Sequence, residues 1–375
     1  MERSKVYFTD FRTKYDVPLT EKLQKLIKKA GIESIDMQNK FAAIKMHFGE
    51  MGNIAYLRPN FAKAVADVVK ENGGIPFLTD CNTLYPGSRK NALEHMDCAN
   101  INGFNTITTG CQIIIGDGLK GTDDIEVPVE NGVYCKSALI GRAIMDADVF
   151  ISLAHFKGHE VAGFGGAIKN IGMGCGSRAG KMQQHDGGSP KILKVKCRGC
   201  RKCISACGSD AIYYNEGKAS IDSEKCKGCG RCIGVCGFDA IVNTAWNANQ
   251  LLGCKMAEYT KAVTDAMPSF HINIIMDVSP NCDCHGENDA PVIPDVGMLA
   301  SFDPVALDQA STDLCCAQTP IENSNFGDAL KRQKDSGEEK RDMWRTISPG
   351  SAWKETLEHA QKIGLGTREY ELIRV

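Results

Sequence analysis

Eight cysteines between residues 197 and 236 constrain this chain more than any other feature. The first run is Cys197-Arg-Gly-Cys200-Arg-Lys-Cys203-Ile-Ser-Ala-Cys207, and the second, after a gap of eighteen residues, is Cys226-Lys-Gly-Cys229-Gly-Arg-Cys232-Ile-Gly-Val-Cys236. Gaps of two, two and three residues wrap thiolates around a cubane iron–sulfur cluster, with the fourth cysteine of each run reaching the other cluster. The spacing predicts two [4Fe-4S] clusters. Cys197, Cys200, Cys203 and Cys236 would hold one, and Cys226, Cys229, Cys232 and Cys207 the other. A pair of zinc ribbons is the alternative, but structural zinc needs only four ligands and rarely uses so tight a third and fourth cysteine.

An Ala-Ile pair follows each run (Ala211-Ile212 and Ala240-Ile241), and the whole stretch resembles a bacterial two-cluster ferredoxin. It departs from that pattern after the fourth cysteine, where the usual proline is Gly208 in one half and Gly237 in the other. Proline there shapes the turn and removes a backbone donor, so glycine alters hydrogen bonding to the sulfurs rather than ligation itself.

The 375 residues are too many for one ordinary core, which suggests two domains or one domain carrying an insertion. Residues 1–187 and 246–375 read as two parts of one α/β domain, and 188–245 as the inserted cysteine module. A net charge of −2 gives no global field for nucleic acid or a membrane surface. No apolar run has the length of a bilayer span, and the N-terminus lacks the apolar stretch of a signal peptide, so a cytoplasmic protein is expected. Eighteen cysteines in a reducing compartment favour metal ligation over disulfides.

The α/β pattern runs strand (Lys5 to Phe11), helix (Leu19 to Ala30), strand (Phe41 to Phe48), helix (Asn60 to Asn72) and strand (Ile75 to Thr79). That alternation predicts a mostly parallel sheet with helices on both faces. Gly103 to Val133 reads as a small antiparallel patch or lid, Ser137 to Asp146 as a helix, and Asp148 to Leu153 as a buried strand. After the module come a helix around Asn247 to Met267, a strand His271 to Val278, a short strand Asp295 to Ser301, a helix capped by Asp303, and a last helix Ser351 to Ile363.

Ligands of such sheets bind beyond the carboxyl ends of the strands. Lys45, His47 and Glu50 follow the second strand, and Asp80, Cys81 and Asn82 the third. The densest candidate follows the strand at 148–153: His155, Lys157, His159 and Lys169 share twenty-two residues with seven glycines, among them Gly165 and Gly166. Glycines admit a ligand close to the backbone, and a helix beginning there would aim its amides at an anion. His155, Lys157, His159 and Lys169 are therefore the candidate catalytic groups, and Gly165, Gly166, Lys45 and His47 the candidate cofactor-binding groups. Lys181, His185 and Asp186 extend the polar region. Beyond the strand at 271–278, Cys282, Asp283, Cys284 and His285 crowd together; Cys282 and Cys284 either ligate a metal or are a buried thiol pair.

Five stretches carry a resemblance: Ile44-Lys-Met-His-Phe-Gly49, Phe150-Ile-Ser-Leu-Ala-His-Phe-Lys-Gly-His159, Gly165-Gly-Ala-Ile-Lys-Asn170, Cys282-Asp-Cys284 and Ala300-Ser-Phe-Asp-Pro-Val-Ala-Leu-Asp308. On these the chain resembles the family called domain of unknown function 362, in its iron–sulfur form. A shorter likeness, histidine followed by a glycine-rich turn and then lysine, is similar to lactate racemase and its relatives. That likeness implies Lys169 as the tether of a nickel-bearing nucleotide and His155 or His159 as ligand or base.

Three functions are consistent with these patterns. The first is an iron–sulfur oxidoreductase in which the module exchanges electrons with a site in the α/β domain. The second is a non-catalytic electron carrier or adaptor, and the third a racemase-type nickel enzyme. Besides the clusters, a further metal or an organic cofactor such as a flavin stays open. The expected partners are a ferredoxin- or flavodoxin-like redox protein and a small-molecule substrate, with no nucleic acid and no membrane. A homodimer is the base-rate assembly.

Overall fold

The structure is a computed structural model that describes residues 3–185, 189–243, 249–336 and 342–375. The chain opens with β1 (Ser4–Asp10) and α1 (Leu19–Lys29), and the helix stops where Gly31 takes a left-handed backbone. Next come β2 (Phe41–Lys45), α2 (Pro59–Glu71) and β3 (Ile75–Asp80); Pro59 begins α2, where its missing N–H costs nothing. Then follow α3 (Ala92–Ile101), the single turn α4 (Thr106–Thr109) and β4 (Gln112–Ile115). β5 (Asp124–Pro128) and β6 (Ser137–Gly141) pair with each other, and the short α5 (Arg142–Met145) leads into β7 (Val149–His155). β8 (Lys157–His159) and β9 (Gly163–Gly165) form a miniature hairpin ahead of α6 (Ala167–Cys175) and α7 (Arg178–Gln184).

A small cysteine-rich unit comes next: β10 (Lys191–Ile192), α8 (Lys202–Ser205), β11 (Ile212–Asn215), β12 (Lys218–Ile221), α9 (Arg231–Gly234) and β13 (Ile241–Val242). Its first and last strands pair, so the unit begins and ends side by side. The chain continues with α10 (Asn249–Ala266), β14 (Ser269–Ile275), β15 (Gly297–Ser301) and α11 (Pro304–Cys316). It ends with α12 (Asn325–Ser336), α13 (Met343–Ile347), α14 (Trp353–Lys362) and β16 (Tyr370–Arg374).

Eight strands make one sheet in the order β16-β1-β15-β14-β7-β2-β3-β4, parallel except where β15 meets β1 and β14. Successive side chains of a strand point to opposite faces. In β2, Ala42 and Ile44 join the core under α1 and α2, whereas Ala43 packs on the other face with residues of α6 and α10. Helices therefore cover both faces of a mostly parallel sheet. Among the described residues no helix is long and apolar enough to cross a membrane.

The structure corrects two local expectations. Ser137–Gly141 is a strand; its alternate residues Ala138 and Ile140 are buried, and the helical turn begins only at Arg142, beyond Gly141. The region 103–133 is not one patch, because β4 joins the main sheet while β5 pairs with β6. The tail adds the edge strand β16, which lies parallel to β1. The expected boundaries at 187/188 and 245/246, together with Asp186 and the first residues of the helix expected from Asn247, lie outside the described residues.

Glu258 of α10 staples three elements together. Its carboxylate accepts the backbone N–H groups of Val133, Tyr134 and Cys135 and lies 2.9 Å from His359 Nε2 of α14. Burial works against a charged His359, but hydrogen bonds to Cys254 and Glu258 prevail and push its pKa up to about 9. A raised histidine pKa stabilises the fold fully below the ordinary 6.5, and that contribution is lost as pH rises through about 9. In His359→Gln the loss of stability between pH 6.5 and 9 should flatten in denaturant titrations; an unchanged slope would contradict the assignment.

Candidate functional site

The carboxyl ends of β2, β3 and β7 open onto a cavity of about 480 Å³. Lys45 and His47 enter it from β2, Asp80 and Arg89 from β3 and its following loop, and Lys157, His159, Glu160 and Gly165 from the β8–β9 hairpin. Lys169 and Asn170 of α6, Lys181 of α7 and His185 at its end, and Cys284 and His285 beyond β14 complete the polar wall. Residues distant in sequence meet here because four parallel strands end at one level.

Positive charge dominates the lining. Among the lining side chains, Lys45, Arg89, Lys157, Lys169 and Lys181 outnumber two carboxylates, Asp80 and Glu160, while Arg89 and Lys157 also pair with Glu50 and Asp283 behind the lining. Asp80 Oδ1 is 3.1 Å from Lys45 Nζ and Asp80 Oδ2 is 3.4 Å from Arg89, so burial of this carboxylate is outweighed and its pKa is lowered. Lys169 Nζ lies 3.1 Å from Cys282 Sγ. A hydrogen bond from Cys284, together with Lys169 and Lys157, holds the Cys282 thiol well below its ordinary pKa despite full burial. Cys284 shifts the opposite way, its own pKa raised by the bond to Cys282 and by burial.

Two histidines are locked as neutral rings. His47 Nδ1 accepts the Gly49 N–H at 2.9 Å, and His159 Nδ1 accepts those of Val161 and Ala162 at 3.1 and 3.0 Å. Burial and the surrounding cations push His159 down to about 4 and lower His47 as well. With Nδ1 occupied as an acceptor, the proton of each ring sits on Nε2, available to a bound molecule.

Three expected groups stand behind the wall. His155 is buried with Nδ1 2.9 Å from Asp283 and Nε2 2.7 Å from the Met276 carbonyl, so both ring nitrogens are engaged by the protein. Cys282 is buried against Lys169. Gly166 serves a neighbour rather than a ligand: a Cβ there would meet Asp308 Oδ1 at 2.2 Å. Asp308 accepts the N–H groups of Ala167 and Ile168 at 2.7 and 3.0 Å, so the anion at the start of α6 is the protein's own carboxylate. Gly174 likewise leaves room for Lys45 Nζ, which a Cβ would meet at 2.3 Å.

Sequence patterns did not single out Arg89 or Glu160. Glu160 sits next to His159 and could have been taken with it, but the loop containing Arg89 has no periodicity to show which way it points.

The cysteine-rich unit repeats its backbone. Gly199 and Gly228 both have φ 66°, Arg201 and Gly230 both 62°, and Asp210 and Asp239 have 50° and 48°. Ala211 N–H donates to Cys207 Sγ and Ala240 N–H to Cys236 Sγ, both at 3.3 Å. Cys197, Cys200, Cys203 and Cys236 line one small cavity. Cys232 is pushed up to about 12 by burial and by Cys229, Cys226 and Cys203. The unit packs on the α/β domain through Leu84 and Met182, which share an apolar cluster with Cys203, Cys232 and Cys236. Lys90 also reaches Asp239 at 2.8 Å.

The sequence matches the family model described as a domain of unknown function (DUF362) over residues 42–313. No curated protein matches. Among solved structures, the lactate racemase apoprotein from Thermoanaerobacterium thermosaccharolyticum is 11% identical with a TM-score of 0.40, covering 73% of this chain and 51% of that one. A structural-genomics protein from Thermotoga maritima is 10% identical with a TM-score of 0.41, covering 79% of this chain and 57% of that one. The chain thus spans little more than half the length of these two proteins.

Asp283 Oδ2 is 2.9 Å from His155 and 3.3 Å from Lys157, all three groups being buried. Removing one member of a buried ionic group strands the others, at about 3–5 kcal/mol. Asp283→Ala should lower unfolding stability by that amount in denaturant titrations; a loss under about 1 kcal/mol would contradict the role given to this carboxylate.

Proposed function

We propose that this chain, which belongs to the DUF362 family, is an iron–sulfur oxidoreductase whose substrate is an anionic small molecule held in the cationic cavity. The eight cysteines of the small unit would hold two [4Fe-4S] clusters, with Cys197, Cys200, Cys203 and Cys236 around one and Cys226, Cys229, Cys232 and Cys207 around the other. When bound, such clusters supply single electrons. The thiol donors suit them: amide N–H groups point at sulfur in equivalent places of both halves, where they stabilise negative charge.

One observation carries the reading. Leu84 lines the cavity and also belongs to the apolar cluster that contains Cys203, Cys232 and Cys236, so the cavity and the cysteine-rich unit adjoin. Arg178 backs the same wall, pressed against the backbone of Gly230 and Gly234. On the outer side Cys200 is exposed among Arg198, Arg201 and Lys202, a basic rim suited to an acidic redox partner of ferredoxin or flavodoxin type.

Within the cavity, Lys157 and Lys181 would bind the anionic group, and His47 and His159 would donate or move a proton through Nε2. A carrier without chemistry of its own has no use for this lining. A racemase-type enzyme is the second reading, favoured by Lys169 and His159 on one cavity wall. It requires added mass on Lys169 in the intact chain.

Oxalate and inorganic phosphate serve as anion probes. Calorimetry should show at least about tenfold weaker binding in Lys157→Ala than in the unaltered protein. His159→Gln should keep the visible cluster spectrum and electron transfer from a reduced ferredoxin. Equal anion affinity in Lys157→Ala would remove the cavity from the function and leave an electron carrier.

A further inference from the structure

Among the described residues, one set of metal-ligating atoms from three side chains lies close together. A carboxylate oxygen of Glu160, Sγ of Cys284 and a ring nitrogen of His285 lie within 4.8 Å of one another on the cavity wall. They come from two loops, the turn between β8 and β9 and the turn after β14. His285 Nε2 is 2.9 Å from Glu160 Oε1.

Both loops are held in place by other groups. Asp283 is fixed by His155 and Lys157, its carbonyl accepts the Glu50 N–H at 2.9 Å, and the His285 carbonyl accepts Asn53 Nδ2 at 2.9 Å. The His285 N–H closes the turn on the Cys282 carbonyl at 3.0 Å. The donors therefore need little reorganisation to meet one ion.

We propose that Glu160, Cys284 and His285 bind a divalent transition metal, Zn²⁺ or Fe²⁺, with an open coordination position facing the cavity. One sulfur, one nitrogen and one oxygen donor suit a borderline-soft ion, and three protein ligands with one position left open is the arrangement of reactive rather than structural sites. The charges also balance. A Glu160 carboxylate and a Cys284 thiolate together neutralise a divalent cation. Lys169, a neighbouring cation, lies 3.1 Å from Cys282 Sγ. Cys282, whose Sγ faces Lys169, is left out of the proposed ligand set. The inference stands whether or not the cavity receives electrons.

The test is titration of the full chain, clusters intact and oxygen excluded, with Co²⁺ and separately Zn²⁺. One Co²⁺ per chain should bring thiolate-type visible bands in the difference spectrum. Cys284→Ser and Glu160→Gln should weaken binding more than about tenfold, while Cys282→Ser binds within a few-fold of the unaltered protein. Unchanged cluster spectra and melting in each variant serve as the folding control. No stoichiometric binding, retention of the bands in Cys284→Ser, or their loss in Cys282→Ser would each overturn the proposal. A failure of the electron-transfer reading would appear instead in the iron content, which these substitutions leave alone.

Discussion

The site depends on the buried carboxylate of Asp283. An ionised group without solvent is unfavourable unless cations and hydrogen bonds surround it, and here the imidazole of His155 and the ammonium of Lys157 both close on it. Burial opposes its ionisation, yet those neighbours hold its pKa well below the carboxylate range. The consequence is geometric. One residue on either side of Asp283, Cys282 turns inward to Lys169 and Cys284 turns to the cavity. The same contact fixes Lys157, at the base of the β8–β9 hairpin that carries His159 and Glu160.

Similar compensation sets the rest of the wall. Lys45 is matched by Asp80 and by Asn170, whose carbonyl oxygen lies 2.8 Å from Nζ. Asp308 occupies the start of α6 while its own pKa, raised mainly by burial, stands at about 6. Because the protein supplies that anion, the cationic character of the cavity comes from side chains rather than from the helix terminus. The cysteine-rich unit is joined to this wall by Leu84, by the Lys90–Asp239 ion pair and by Arg178, which lies against Gly230 and Gly234 while its guanidinium donates to the carbonyls of Thr83, Lys120 and Lys90.

Much of this was legible in the sequence, for physical reasons. Strands buried on both faces read as continuous apolar runs, and the rule that ligands lie beyond strand ends pointed to Lys45, His47, Lys157, His159 and Lys169. Residues that act by closing a network were harder to see. Asp308 lies on a helix more than 130 residues from the amides it caps. His155 looked like a catalyst because it is a histidine after a strand, and only its buried partners, Asp283 at Nδ1 and the Met276 carbonyl at Nε2, show that both its nitrogens are committed. Ser137–Gly141 is too short for period alone to separate strand from helix.

The most direct measurement is an iron, acid-labile sulfide and zinc count on the full chain purified without oxygen. About eight iron and eight sulfide per chain is the expected result. About two zinc with no sulfide would contradict it, because the cysteine-rich unit would then be structural and the cavity would have no source of electrons beside it.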